Sequence, residues 1–466
     1  MSFLFDKSEK PNGKATVKLE AKSPRSERLP IDVDRSQNEL TAERPTLLDE
    51  KLKLHGRIID EFNLAVLEKL SPEELRREIQ TYVANYIRAE RISLNQKELE
   101  AFTSEVLAEM TGYGPIEPLL KDPTVSDILI NTHNLCFIER FGKLERANVR
   151  FKDEAHLLRI INKIVSGIGR RIDESSPMVD ARLPDGSRVN VAIRPVSIDG
   201  PLVSIRKFAE RPFDIERLIQ GDTLSAAMGG LLKAAVRGRI SLIISGGTGT
   251  GKTTLLNALS NSIPHQERLI TIEDAAELQL QQLHVGRLET RPPNVEGKGE
   301  IRQRDLVKNA LRMRPDRIII GECRGEEAFD MLQAMNTGHE GSMTTVHANS
   351  PRDALKRLEQ MITMAGMGLP VSSIRSQIAS AITLVMQLQR LPDGRRRLVS
   401  IEEITGMEGE VIQMQEIFRF VKERSDMNGN IVGHFAATGT RPKFLQDLLP
   451  YGIELPSSYF ETDRLT

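Results

Sequence analysis

Apolar residues recur along this chain with three different periods, and the changes of period divide it. Leu52, Ile58, Ile59, Phe62, Val66 and Leu70 fall at helical spacing, as do Leu75, Ile79, Tyr82, Val83 and Tyr86, and then Leu99, Phe102, Val106 and Met110. Ser71-Pro72-Glu73-Glu74 opens the second run with a Ser at the N-cap and a Glu three positions into the helix, so side chains satisfy its first amides. These runs predict three amphipathic helices in a small bundle over residues 46–112, whose plainest role is docking or spacing. Residues 1–45 are rich in Lys, Glu, Ser, Arg, Asp and Pro. Such a segment cannot bury enough surface to offset its ordering entropy, which predicts a disordered tail.

Tyr113-Gly114-Pro115 ends the helical pattern, and shorter periods succeed it. Strands are predicted at 126–130, at 135–139 and 144–151 as a hairpin around Gly142, at 179–183 and 188–194 around the turn Pro184-Asp185-Gly186, and at 202–208. Leu157, Ile160, Ile161, Ile164 and Val165 mark one helix among them, so residues 113–208 read as an α+β domain. Along 188–194, Val189, Val191 and Ile193 share one face, while Arg188 and Arg194 share the other with Asn190 and Ala192. Arg206 and Lys207 close the next strand. Arginines on a polar strand face are ordinarily solvated. The alternative is that at least one of Arg188, Arg194 and Arg206, with Arg182 as a further candidate, reaches a phosphate across a domain or subunit boundary.

Residues 209–222, with Pro212, Gly221 and Asp222, read as a linker, and Thr223 is placed to cap a helix through Leu224, Met228, Leu231, Leu232 and Val236. From there, residues 223–466 form one unit. Apolar runs at 240–244, 269–272, 283–288, 317–321 and 341–346 are separated by helices at 306–313 and by a polar loop at 292–300. Two helices come next, at 352–365 and 372–381. Strands alternating with helices predict a mostly parallel sheet with its site at the C-terminal edge. Strands at 384–389, 398–404 and 411–421 precede a weakly patterned tail.

The strand at 240–244 runs into Gly246-Gly247-Thr248-Gly249-Thr250-Gly251-Lys252-Thr253-Thr254, and Leu255, Leu256, Ala258 and Leu259 continue at helical spacing. Strand, glycine loop and helix are the context that the pattern G-x-x-x-x-G-K-[ST] requires. Glycines let successive amides point at phosphate oxygens at the positive end of a helix. Lys252 is placed to reach the β and γ phosphates, Thr253 to ligate Mg²⁺, and Thr254 to complete the cradle. Ile318, Ile319 and Ile320 lead into Gly321 and Glu322, a carboxylate at the same sheet edge, with Arg324 beside it. Glu273 and Asp274 end another strand, with Glu277 just beyond. One acid can hold the metal's water while another takes the proton of an attacking water. His339 and His347 bracket a strand without metal spacing; they read either as structural histidines or as hydrogen-bonding sensors near the γ phosphate.

Composition narrows the classes. At 466 residues the chain suggests about three domains. A net charge of −1 argues against a chain-wide nucleic-acid footprint. Cys136 and Cys323 are far apart, so neither a disulfide framework nor a cysteine zinc site is expected. MSFLFDKSEK is too briefly apolar for a signal peptide, and no apolar run of about 18 residues occurs. A cytoplasmic protein, with any membrane contact peripheral, is the expectation.

Taken in order, GGTGTGKTT, TIEDAAEL and RPDRIIIGECRGEEAFDMLQAMNTGHEGSMTTVHANSPRDAL resemble the Walker A, Asp box, Walker B and His box of the type II/type IV secretion ATPases. YGPIEPLL, DILIN, ARLPDGSRVNVAIRP and SIRKF resemble the CpaF-type ATPases of tight-adherence (Tad) pilus assembly. The resemblance implies a RecA-like P-loop motor domain with a C-terminal extension, preceded by a PAS-like α+β domain and the helical bundle. It also implies a homohexamer binding ATP and Mg²⁺ between domains and near a neighbour, with Glu273 as catalytic base and Glu322 as Walker B acid. The partner would be an inner-membrane pilus platform, and the work pilus assembly, with retraction as a further task of the same motor. The four-cysteine zinc module of some relatives has no counterpart here. Two other readings compete: the same motor on a type IV secretion or conjugation channel, and a RecA-like nucleic-acid translocase. With no Trp and 5 Tyr, the chain is poor in the aromatic platforms a single-strand groove uses.

Overall fold

The computed structural model describes residues 53–54, 71–208, 213–291, 293, 298–426, 429–462 and 464–465. The expected tail and nearly all of the first bundle helix lie outside these residues. The other two bundle helices are α1 (Pro72–Ala89) and α2 (Gln96–Met110), each opened by a capping box, Ser71 with Glu74 and Asn95 with Glu98. They bury Ile79, Val83, Phe102 and Val106 between them. Glu109 of α2 pairs at 2.8 Å with buried His156, which ties this helical pair to the neighbouring α+β domain.

After α3 (Glu117–Lys121) comes a six-stranded sheet with one long helix: β1 (Val125–Thr132), β2 (Leu135–Arg140), β3 (Lys143–Ala147), α4 (Glu154–Ser166), β4 (Met178–Arg182), β5 (Arg188–Ala192) and β6 (Leu202–Arg206). The order is β3-β2-β1-β6-β5-β4, with every pair antiparallel. The apolar stripe of α4 packs with Ile128, Ile138, Val189, Val191 and Ile205 of the sheet. The opposite face is mixed, with the charged row Glu139, Asp127, Arg206, Arg188 and Arg182 at one end and apolar Met178 and Leu202 at the other. β5 stops at Ala192 rather than 194, just ahead of Pro195, which has no amide to give a ladder.

Within the stretch read as a linker, Ile215–Gln220 forms helix α5, capped by Asp214 and packed through Ile215 and Leu218 into the second core. Two apolar residues at i, i+3 suffice for a turn and a half of helix once a core receives them. The chain continues through α6 (Ala226–Arg237, capped by Ser225 rather than Thr223), β7 (Leu242–Gly246), α7 (Lys252–Ser260), β8 (Leu269–Glu273), β9 (Val285–Glu289), α8 (Gln303–Ala310), β10 (Arg317–Cys323), α9 (Glu327–Asn336), β11 (Met343–Val346), α10 (Pro351–Met364), α11 (Val371–Ala381) and β12 (Leu384–Arg390). Then come β13 (Arg396–Glu408), β14 (Val411–Ser425), β15 (Ile431–Ala437), α12 (Leu445–Leu448) and β16 (Arg464–Leu465).

These strands form a ten-stranded sheet, β16-β15-β14-β13-β12-β7-β11-β10-β8-β9. It is parallel from β12 to β9 and antiparallel from β12 to β16. Alternate residues of the central strands feed two cores: Leu242, Ile244 and Leu388 join α6 and α7, while Ile243, Ile320 and Val385 join α9 to α11. At the N-terminal edge, fully buried Arg317 grips Glu267 with two bonds of 2.6 and 2.8 Å and donates to the Val236 carbonyl. That charge-paired floor leaves the opposite edge, above β7, β8, β10 and β11, for the site. Among the described residues no helix is long and apolar enough to cross a membrane.

Candidate functional site

β7 delivers the glycine loop at the centre of the sheet, between β11 and β12. Gly249 and Gly251 adopt left-handed backbone, φ 70° and 95°. A Cβ on Gly246 would lie 2.5 Å from Thr250 Oγ1 and 2.8 Å from the Leu388 carbonyl, so the start of the loop admits no side chain. α7 then begins at Lys252 with no side-chain cap on its amides. Uncapped amides at the start of a helix can receive an anion. Lys252 Nζ folds back to donate to the Gly247 carbonyl at 3.0 Å. Burial holds its pKa below the ordinary lysine value, opposed by Glu322 and reinforced by Arg324 and Arg206.

Parallel pairing of β8 with β10 in the register Ile272 to Ile320 brings Glu273 and Gly321-Glu322 to one edge. Glu273 is 3% exposed. Its Oε1 accepts the amides of Glu277 and Leu278 at 2.8 and 2.9 Å, while buried Oε2 has no hydrogen-bond partner among the described residues. A Cβ on Gly321 would sit 2.9 Å from Glu273 Cγ, so that glycine makes the room. Burial raises the Glu273 pKa to about 7, against the pull of the two amides. Glu322 accepts Arg324 Nε at 3.0 Å, and Arg324 also reaches Asp274 at 3.4 Å.

The charged end of that face of the six-stranded sheet lies against this edge. Register pairs Arg182 with Arg188, Arg188 with Arg206, and Arg206 with Asp127, so three arginines form one row across β4, β5 and β6. Arg182 pairs with Glu289 at 3.2 Å and Arg188 with Glu277 at 2.7 Å. Arg188, Arg206 and Lys207 line a cavity of about 170 Å³ whose other wall carries Thr253, Thr254 and Glu277. The grouping of Arg194 with this row is corrected. It lies beyond the far end of β5, is 59% exposed and contacts Glu154 at 3.5 Å. Six residues of extended chain span about 20 Å, so alternation alone overstates their proximity.

The histidines are separated as well. His347 comes directly after β11 at the loop's edge and is exposed. His339 precedes β11, on the side where Gly341 bonds Ser241 at the start of β7. A four-residue strand, about 13 Å, stands between them, and His339 is withdrawn as a phosphate neighbour. No periodicity marks Arg396, whose Nε donates to the Gly249 carbonyl at 2.9 Å from a hairpin far along the chain.

In an ATP-hydrolysis assay, Arg206→Ala is expected to lower kcat/KM by at least about tenfold with thermal melting unchanged, because it removes a cation from the cavity that Thr253 and Thr254 line. Arg194→Ala is expected to leave the rate unchanged. Equal rates in both variants would show that the row is a solvated face.

The model of the type II/IV secretion system protein family matches residues 109–424. A Mycobacterium tuberculosis protein named for conjugal transfer is 36% identical over 324 residues, covering 68% of this chain and 92% of its own. Type IV secretion system protein PtlH of Bordetella pertussis is 33% identical over 315 residues, 61% of this chain and 92% of that protein. Among solved structures, the VirB11 ATPase of the Brucella suis type IV secretion system is 28% identical, with 62% of this chain and 95% of that one aligned at a TM-score of 0.34.

Proposed function

The chain belongs to the type II/IV secretion system protein family, and from that premise we propose that it is an ATP-hydrolysing motor that acts as a homohexamer at the inner membrane and drives pilus assembly through a membrane platform. The observation that supports the motor reading is the convergence of three parts on one edge: the uncapped loop helix with Lys252, the carboxylates Glu273 and Glu322, and the arginine row of a separate sheet. Phosphoryl transfer to water needs those parts and little else from a protein, since its catalysis is positioning and charge.

The donor set suits Mg²⁺. Thr253 and Glu322 offer hard oxygens in a half-buried setting, and Mg²⁺ prefers a few such ligands together with water and phosphate. The ion would neutralise charge building on the phosphates. Glu322 would hold it directly or through water, Lys252 would bind phosphate, and Glu273 would accept the water's proton. Glu322→Gln is expected to bind ATP within about threefold of wild type while losing turnover by about a hundredfold, because the amide keeps shape and loses charge. A variant unable to bind nucleotide would make Glu322 structural.

The pilus reading rests on the motifs that resemble CpaF-type ATPases, with membrane attachment running through partners. A second reading, a type IV secretion or conjugation motor, is favoured by the names of the relatives from M. tuberculosis and B. pertussis. Purification of the full chain with its native membrane partners separates the two. A pilus platform protein supports the first reading, and a secretion-channel component overturns it in favour of the second.

A further inference from the structure

Two glycine turns from distant parts of the chain meet beside the nucleotide loop. Gly142 (φ 79°) turns β2 into β3, and Gly394 (φ 85°) turns β12 into β13. A Cβ on Gly142 would lie 3.1 Å from the Gly394 carbonyl oxygen, and one on Gly394 3.6 Å from that of Gly142, so the two backbones are in contact. This contact brings Glu139 of β2 against Arg390 and Arg396, the pair that flanks the second turn. Glu139 Oε1 lies 3.2 Å from Arg396 Nη2, and its Oε2 lies 3.6 Å from Arg390 Nη1. Arg390 also donates to the Gly142 carbonyl, and Arg396 Nε donates to the Gly249 carbonyl at 2.9 Å. Both guanidinium side chains rest on loop glycines. Arg390 Nη1 lies 3.7 Å from where a Gly249 Cβ would be, and Arg396 Cδ lies 3.5 Å from that of Gly251.

Exposed ion pairs contribute little, and the plain reading makes this one of them. Three observations set it apart. The Glu139 side chain is only 15% exposed and is shared by two guanidinium groups. One of those groups holds a carbonyl of the phosphate loop itself. Glu139 also stands in register with Asp127, which is in register with Arg206, so it belongs to the same cross-strand row that faces the loop helix. The sheet thus meets the loop at two points, through its arginines across the cavity and through Glu139 at the loop's crest. Two cations against one carboxylate leave one positive charge in excess beside the site of an anionic substrate.

We propose that Glu139, Arg390 and Arg396 form a clasp that fixes the crest of the phosphate loop and makes its shape depend on closure of the six-stranded sheet. Arg396 and Glu139 are positioning residues: Arg396 acts through the Gly249 carbonyl, and Glu139 carries the position of the sheet to Arg396. This rests on the nucleotide reading of the loop. Because the clasp touches the loop from outside, its loss weakens nucleotide binding and leaves the chemical step intact.

The test is steady-state ATPase kinetics with MgATP on the full chain, with ring mass and thermal melting as checks of folding. Glu139→Gln and Arg396→Ala are each expected to raise KM about five- to tenfold with kcat within about twofold, the loss of one charge-assisted bond. The double variant is expected to be no worse than either single one, because both break the same link. Arg396→Lys serves if the alanine variant does not fold. It is expected to raise KM as well, since one ammonium cannot bridge Glu139 and Gly249 as the guanidinium fork does. KM and kcat both within about twofold of wild type in the single variants would overturn the clasp, as would multiplicative effects in the double variant. A fall in kcat at unchanged KM would overturn it too, by placing Arg396 in the chemistry. Failure of the nucleotide reading would appear separately, as ATP turnover surviving Lys252→Ala.

Discussion

Replacing Lys252 with alanine is expected to lower ATP turnover at least about a hundredfold, the scale on which removal of one preorganised charge from a phosphoryl-transfer site is felt. An ammonium has three donors. One is spent on the Gly247 carbonyl at 3.0 Å, which would leave two for phosphate oxygens in the proposed site. The nearby arginines are already engaged: Arg324 by Glu322 and Asp274, Arg188 by Glu277, and Arg206 by Asp127. The uncapped amides of α7 would persist in the variant and retain some affinity for the α and β phosphates. The loss should therefore fall mainly on kcat, with weaker ATP binding as a second effect. Isothermal titration beside a phosphate-release assay measures both. Turnover within about threefold of wild type would remove the phosphate-loop assignment and the motor reading with it.

How far each part is legible in the residues depends on how the chain specifies it. The central strands announce themselves because β7 and β10 are buried on both faces, so Ile243 and Ile244, or Ile318 to Ile320, appear as unbroken apolar runs. The loop is legible because its glycines, lysine and threonine occupy fixed offsets within one stretch of chain. The arginine row is different. Arg182, Arg188 and Arg206 meet because β5 pairs with β4 on one side and β6 on the other, and that register is set by packing rather than by spacing. Alternation along β5 therefore offers Arg194 as readily as Arg188. His339 and His347 show the same weakness, since nearness in sequence hides a strand that carries them to opposite edges.

The tail after β15 reads as unpatterned because it docks by single anchors. Phe444, Leu448 and Phe460 are each at most 5% exposed; the first two bracket a single helical turn and the third stands well beyond it, too short a pattern to read as a periodic element. Glu403, buried on β13, secures the first of them by accepting the amides of Lys443 and Phe444 at 3.0 and 2.9 Å. A buried carboxylate on a strand, paired with backbone forty residues on, leaves no local signal. Glu139 and Arg396 escape notice for the same reason, their partner lying in a different sheet.

Glu273→Gln is expected to lower kcat about 10²- to 10⁴-fold, the usual worth of a general base, while ATP binding persists. The glutamine keeps an oxygen for the amides of Glu277 and Leu278, so the turn after β8 survives and the change tests charge rather than folding. Alanine would strip both bonds and confuse the two. The pH dependence gives an independent reading. A base works only when ionised, and burial has raised the Glu273 pKa from 4.5 to about 7. Activity should therefore be full above that value and fall as the pH drops through it, giving kcat/KM an acid limb near pH 7. A solvated carboxylate would place that limb near 4.5 instead. Oε2, buried and without a hydrogen-bond partner among the described residues, is the oxygen proposed to take the proton. A limb near 4.5, or a glutamine variant that keeps a third or more of the wild-type rate, would reduce Glu273 to a clip for the turn and remove its assignment as the base.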